Sequence, residues 1–243
     1  MAADAALFVS EEFMRFDRLK AITNDFDTIT NHTILIFGLG GVGSFAAEAI
    51  ARSGFQRIIL VDFDQVAESN INRQIIALDD TLGLFKTEVM EERIHKINPY
   101  CKVIIHTEKA TEENLFIFFE EKVDYVIECI DDMAAKIAIA KEIEKRNIEM
   151  ISSMGFANKF EPDKIKIAPL DKTNVCPLAR RYRALSRESG LSLKREVIFS
   201  TETPSKSSNE SVKLGSTAFV PSVAGLMLAA HVFNHYRKEG SSS

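Results

Sequence analysis

One stretch limits what this chain can fold into. Residues 33–64 read as an apolar run, Thr33-Ile34-Leu35-Ile36-Phe37, then Gly38-Leu39-Gly40-Gly41-Val42-Gly43. An Ala-rich amphipathic segment follows and ends at Ser53-Gly54. A second apolar run, Arg57-Ile58-Ile59-Leu60-Val61, then closes on Asp62-Phe63-Asp64. A strand that feeds glycines into a helix, with a second strand ending in acids, is the context that gives G-x-G-x-x-G its meaning. Gly38 permits a tight turn, Gly40 lets the backbone approach a phosphate, and Gly43 lets helix and strand pack closely. Gly54 suits the residue just past the helix end. The amides and dipole at the helix N-terminus favour an anion. Asp62 stands where such folds place an acid on ribose hydroxyls. The stretch predicts nucleotide binding. The alternative is a glycine-rich turn in a doubly wound sheet that has no ligand.

Beyond Asp64 the chain runs Ser69-Asn70-Ile71-Asn72-Arg73-Gln74, placing amides and a guanidinium past the carboxyl end of a strand. Ligands of open α/β sheets bind at that edge, although Ser and Asn also serve turns. Lys86 opens a helix predicted over Thr87 to Ile97, where a cation opposes the dipole. It either faces an anion or is simply exposed. Strands are predicted over Lys102 to His106, Asp124 to Ile130 and Ile148 to Ser152. Helices are predicted over Glu112 to Glu121, with Phe116 and Phe119 inward, and over Met133 to Arg146. Strand and helix alternate, which argues for a mainly parallel sheet with helices on both faces. Asp131 and Asp132 end the fourth strand. Mg²⁺ favours one or two carboxylates plus phosphate oxygens, and an Asp also caps a helix. Asp131 fits the metal and Asp132 the cap.

The last third changes character. Asp163 to Ala168 and Arg195 to Ser200 read as strands. Between them Lys172, Arg180, Arg181, Arg183, Arg187, Lys194 and Arg195 face only Glu188. That is either a phosphate-backbone surface or a solvated helix face. Ser200 to Lys213 reads as a mobile loop, and residues 1–10 as frayed. Phe13 to Leu19 reads as a short helix with Arg15 and Arg18 on one face. Ser216 to Asn234 is nearly free of charge, but Pro221, Ser222 and Gly225 mark it as a buried helix from about Pro221 rather than a membrane span.

Composition excludes little and constrains the compartment. A net charge of -5 argues against wholesale nucleic-acid coating. The 3 cysteines are far apart and form no C-x-x-C, so neither a zinc knuckle nor a disulfide framework is supported. No basic segment followed by an apolar core marks a signal peptide. A reducing, cytoplasmic setting follows.

Together Gly38 to Gly43, Asp62 to Asp64, Ser69 to Gln74, Gly83 to Lys86 and Cys129-Ile130-Asp131 occur in order. They resemble the ATP-binding core of the ubiquitin-activating-enzyme superfamily, which includes the ThiF and MoeB adenylating enzymes. Ser152-Ser153-Met154-Gly155, Asp171-Lys172-Thr173, Pro177-Leu178-Ala179-Arg180 and Phe199-Ser200-Thr201-Glu202 look like its tRNA threonylcarbamoyladenosine dehydratase branch. The resemblance covers roughly Phe13 to Lys238. It implies one α/β domain, a doubly wound Rossmann-like sheet (core about 30–155) with a mixed, tRNA-facing extension over about 156–238. It implies an enzyme that uses ATP and Mg²⁺ to activate the threonine carboxylate, which then cyclises with formal loss of water. Gly38, Gly40, Gly41, Gly43, Asp62, Asp64 and Asn70 would contact the nucleotide. Arg73 and Lys86 would neutralise phosphate charge, and Asp131 would hold the metal. Arg18 would reach the triphosphate from a partner subunit, implying a homodimer. Lys172, Arg180, Arg181 and Arg183 would meet tRNA.

The chemistry suits these residue types, because adenylation asks for charge stabilisation and orientation rather than a protein nucleophile. Cys176 departs from the pattern, standing where an acid is expected. The absence of paired C-x-x-C counts against activation of a sulfur-carrier protein. A silent nucleotide-binding adaptor, such as a partner of a cysteine desulfurase or sulfur acceptor, would not need Arg73, Lys86 and Asp131 together. Nor would an NAD-dependent oxidoreductase.

Overall fold

In this computed structural model residues 15–207, 211 and 214–240 are described. Residues 1–10, Phe13, Met14 and part of the expected loop (208–210, 212–213) lie outside them. The elements are α1 (residues 15–20), α2 (Phe26–Thr30), β1 (Thr33–Phe37), α3 (Gly43–Arg52), β2 (Arg57–Val61) and α4 (Lys86–Ile97). Then come β3 (Lys102–His106), β4 (Tyr125–Glu128), α5 (Met133–Arg146), β5 (Glu149–Ser153) and β6 (Ile165–Pro169). The last are α6 (Pro177–Glu188), β7 (Glu196–Ser200) and α7 (Phe219–Gly240).

All seven strands form one sheet in the order β3-β2-β1-β4-β5-β7-β6. Every pairing is parallel except β6 with β7, so the mixed C-terminal part is the edge of the same sheet. Successive residues of a strand point to opposite faces, and β1 divides accordingly. Ile34 and Ile36 join a core with α3, α4 and α7. Leu35 and Phe37 join another with α5 and the short helix at Leu115–Phe119. A third cluster, including Met154, Ala179 and Tyr182, seats α6. Continuous apolar runs in the central strands follow from burial on both faces.

One predicted helix shrinks. Glu112 to Glu121 holds only a 3₁₀ helix, Leu115–Phe119. Its three-residue repeat aligns Leu115 with Phe118 on the inner side. Phe118 and Phe119 are buried as a result, whereas Phe116 is 61% exposed rather than inward.

The C-terminal helix lies on α3. A Cβ built on Gly225 would come 2.3 Å from the Val42 carbonyl oxygen and 2.8 Å from Phe45 Cβ. Only glycine allows this approach, and it brings Pro221 against the glycine turn, 3.2 Å from a Cβ built on Gly41. No helix among the described residues is long and apolar enough to cross a membrane. Gly225→Ala is therefore expected to push α7 off α3 and cost about 1–3 kcal/mol, the usual range for overpacking. Thermal unfolding checks it, and an unchanged Tm would refute this account of the seam.

Candidate functional site

The crevice follows from topology. β1 and β4 are neighbours, but the chain leaves β1 for α3 on one face and β4 for α5 on the other. Their carboxyl ends part, as at the ligand site of open α/β sheets. The glycine turn is built for this place. Gly38 has φ +86°, and a Cβ there would sit 2.9 Å from the Cys129 carbonyl oxygen. A Cβ on Gly43 would meet the Gly38 oxygen at 1.8 Å. Gly40 faces only the Gln74 side chain, at 3.9 Å, so its backbone stays approachable.

Asp62 ends β2 buried. Its Oδ2 accepts from the Leu39 amide (2.6 Å) and its Oδ1 from the Asp64 amide (2.9 Å). Burial pushes its carboxyl above the ordinary range, while Lys86 and the two amides pull it back. Each oxygen keeps a further lone pair for a hydroxyl donor. Lys86 is neither exposed nor left to an absent anion. It is buried at the start of α4, and its Nζ donates to Asp64 Oδ2 at 2.7 Å. Asp64 is half exposed, so a phosphate can share or take this ammonium.

Arg73 donates from Nη1 to the Ser69 carbonyl oxygen (2.7 Å) and to Asn72 Oδ1 (2.9 Å), which fixes its guanidinium at the rim. Asn70 spends its Oδ1 on the Ala67 amide (3.1 Å), leaving its amide nitrogen as the donor. Of the two adjacent acids, Asp132 takes the capping role expected of it. Asp132 caps α5, accepting from Ala134 (2.9 Å) and Ala135 (3.2 Å). Lys109, 3.0 Å away, and those amides hold its carboxyl below the usual carboxylate range. Asp131 is exposed on the cavity wall.

These groups line one cavity of about 770 Å³. It runs from Asp62 past Arg73 and Asp131 to Lys159, Cys176 and Pro221. Among the described residues no three His, Cys, Asp or Glu side chains converge as a metal cage. The carboxylate of Asp131 instead fits a hydrated Mg²⁺ that takes its other ligands from phosphates and water.

Three features escaped the sequence reading. Glu128 and Lys136 form an ion pair at 2.6 Å with both side chains fully buried. Glu128 also accepts from the Ile130 amide (2.7 Å), and Lys136 donates to the Ser153 carbonyl oxygen (2.8 Å). Lys109 reaches the cavity, and Lys159 is buried in its far wall. Glu128 and Lys136 carried only the signal of a charge within a strand and a helix, which more often means a solvated face, and Lys109 and Lys159, in loops, carried no signal at all.

The basic segment is opposed by more than Glu188. Lys194 pairs with Asp171 (2.6 Å) and Arg195 with Glu144 (2.9 Å). Arg183 donates to the Thr173 carbonyl oxygen (2.9 Å) and hydroxyl, which ties α6 to the preceding turn. Lys172, Arg180 and Arg181 are exposed. Arg18 is exposed on α1 and is not among the residues lining this chain's own cavity. Cys129 is a partly buried thiol whose pKa is pushed up by its apolar surroundings, which suits a wall rather than a nucleophile. Cys176 is buried at the start of α6, its Sγ 3.9 Å from the Gly155 oxygen.

The ThiF family model matches residues 17–241. The chain belongs to the ThiF family. Among its relatives it is similar to tRNA threonylcarbamoyladenosine dehydratase of Bacillus subtilis (strain 168). The two are 44% identical over 221 residues, 85% of this chain and 87% of that protein. It is also similar to the Escherichia coli (strain K12) protein of that name, 38% identical over 70% of this chain and 66% of that protein. A crystal structure of the E. coli dehydratase, TcdA, in complex with ATP superposes with a TM-score of 0.87 at 31% identity. It covers 95% of this ThiF-family chain and 97% of that one. TcdA in complex with AMP gives 0.85 at 32% identity, covering 90% and 92%.

The buried pair gives a stability test. Lys136→Met strands the Glu128 charge and is expected to cost about 3–5 kcal/mol, as for a broken buried ion pair. Replacing both, as Glu128→Leu with Lys136→Met, should cost markedly less. Denaturant unfolding of the two variants decides it, and equal losses would mean the pairing itself contributes nothing.

Proposed function

We infer that this chain is an ATP-dependent enzyme that cyclises threonylcarbamoyladenosine in tRNA with net loss of water. The observation that carries the reading is one cavity holding the glycine turn, Asp62, Arg73, Lys86 and Asp131, in a chain 44% identical to a relative named for that reaction.

In this reading the glycine turn and the start of α3 receive phosphates, and Asp62 accepts from ribose hydroxyls. Arg73, Lys86 and the Asn70 amide meet triphosphate oxygens; Asp64 holds Lys86 in place beforehand. A carboxylate oxygen of the threonyl group attacks the α-phosphorus, and pyrophosphate leaves with the electron pair of the broken P–O bond. The carbamoyl-adenosine portion then closes on the acyl carbon and expels AMP. Arg73 and Lys86 offset charge that builds on the departing oxygens, a service worth most where water is excluded. Closure is intramolecular, so the walls need only orient the group and keep water away. Mg²⁺, when bound by Asp131 and phosphate oxygens, would supply further neutralisation of the triphosphate.

Lys172, Arg180 and Arg181 are exposed and close in sequence to Cys176, Pro177 and Leu178 of the cavity wall, which suits contacts with tRNA phosphates. Arg183 would act indirectly, through its hold on Thr173. A homodimer would bring Arg18 of one copy to the other's triphosphate. Its position outside its own cavity supports that reading. The compartment is cytoplasmic, where charged tRNA substrates and ATP occur. A cysteine desulfurase or sulfur acceptor would be a further protein partner.

Mass spectrometry of nucleosides from threonylcarbamoyl-modified tRNA, incubated with protein, ATP and Mg²⁺, tests the reaction. The product should be lighter by one water, only with ATP, and absent for Arg73→Ala and Asp131→Ala variants that remain folded. AMP exchange without a change in tRNA would move the substrate to another carboxylate, such as that of a carrier protein. Arg180→Glu with Arg181→Glu should weaken tRNA binding and flatten its salt dependence; unchanged affinity at low salt would return α6 to a solvated face. Arg18→Ala and Arg73→Ala proteins, each inactive alone, should regain turnover when mixed. Failure to complement would remove the role in trans.

A further inference from the structure

Three lysines of this chain are buried near the cavity. Two have carboxylates: Lys86 has Asp64 at 2.7 Å and Lys136 has Glu128 at 2.6 Å. Lys159, 1% exposed, differs from both. Among the described residues it belongs to no ion pair. Within those residues its Nζ donates only to backbone oxygens, Gly155 at 3.2 Å and Ser200 at 3.4 Å, with the Phe156 ring 5.9 Å away. Glu202 is near enough to act on it electrostatically, but that carboxylate is already engaged. Its oxygens accept from the amides of Phe160 (2.9 and 3.1 Å) and Glu161 (2.9 Å). Burial holds the Lys159 ammonium below its ordinary pKa, with Cys176 and Glu202 pulling it back.

An ammonium has three donors, and two carbonyls leave one unspent. A buried cation without a paired anion is costly, so it persists where something else supplies the charge. The nucleotide's needs are met at the other end, by Asp62, Arg73, Lys86 and Asp131. Lys159 lies in the wall formed by residues 153–159, 176–178 and 214–216. That wall contains no other lysine or arginine.

We propose that Lys159 binds the carboxylate of the acyl substrate and so selects for the anionic, not yet activated form. The proposal rests on the function inferred above.

The test is a ratio of affinities measured without ATP. Modified tRNA, the same tRNA with its threonyl carboxylate as a methyl ester, and unmodified tRNA are each titrated against wild type and Lys159→Met. Wild type should prefer the free acid over the ester by roughly ten-fold or more, as for a hydrogen bond to a charged group. Lys159→Met should bind all three alike while keeping wild-type affinity for AMP. Where circular dichroism shows that Lys159→Met does not fold, Lys159→Gln is read in the same way. A retained acid preference in either folded variant overturns the assignment and leaves Lys159 a structural residue. Lost AMP affinity with retained acid preference would make it a phosphate contact, which also overturns it. A wild type that does not distinguish modified from unmodified tRNA fails the substrate reading itself, and the subsite falls with it.

Discussion

The Glu128–Lys136 pair is the constraint on which the site's shape depends. It joins the ends of β4, α5 and β5, elements that elsewhere meet through sheet pairing and apolar packing. Glu128 ends β4 and holds the Ile130 amide, so the turn carrying Asp131 and Asp132 leaves the sheet in one direction. Lys136, one turn into α5, reaches the end of β5 through the Ser153 oxygen. Its ammonium also lies over the Tyr182 ring of α6 at 5.5 Å, with the Arg195 guanidinium 5.2 Å from that ring. A buried pair is weak evidence for stability, since desolvation offsets most of the attraction. Its value here is directional. Apolar packing would let β4, α5 and α6 slide by small amounts, whereas short charged hydrogen bonds at 2.6 and 2.8 Å do not.

What could be read from the sequence was what depends on short-range chemistry. Gly38 and Gly43 are required by their own backbones and by each other, a few residues apart, so their pattern announces the turn. Asp132 caps the helix it precedes. The alternation of strands and helices specified the parallel sheet, and the antiparallel β6–β7 edge was foreshadowed by the change of character after Gly155. What could not be read depends on pairs distant in sequence. Lys86 was undecidable because its carboxylate is on Asp64, across a loop. Glu128 in an apolar strand and Lys136 in an Ala-rich helix each look like a misplaced surface charge until they meet. The basic segment looked opposed by Glu188 alone because Asp171 and Glu144 lie outside it. Phe116 was misplaced because a 3₁₀ turn replaced the α-helix whose periodicity was assumed.

The cavity has two ends with different electrostatics. Around Asp62 and Lys86 the charges are paired within the protein and shared outward, so nucleotide can come and go without leaving an ion stranded. At Lys159 the charge is less well matched. A site that binds two partners in turn gains from that contrast: one end is self-sufficient, and the other is completed by its ligand.

The seam at Gly225 bears on how the chain is made. α3 is synthesised early and α7 after every other described element, yet α7 covers the same face of the sheet and sets Pro221 against Gly41. Until α7 emerges, the side of α3 that packs on it has no cover, and α3 and α4 alone shield Ile34 and Ile36. The nascent chain therefore carries an open apolar face for most of its synthesis, the kind of surface that draws chaperones or aggregates. It also lacks Pro221 against Gly41, so one side of the phosphate turn gains its wall only when the last helix is made.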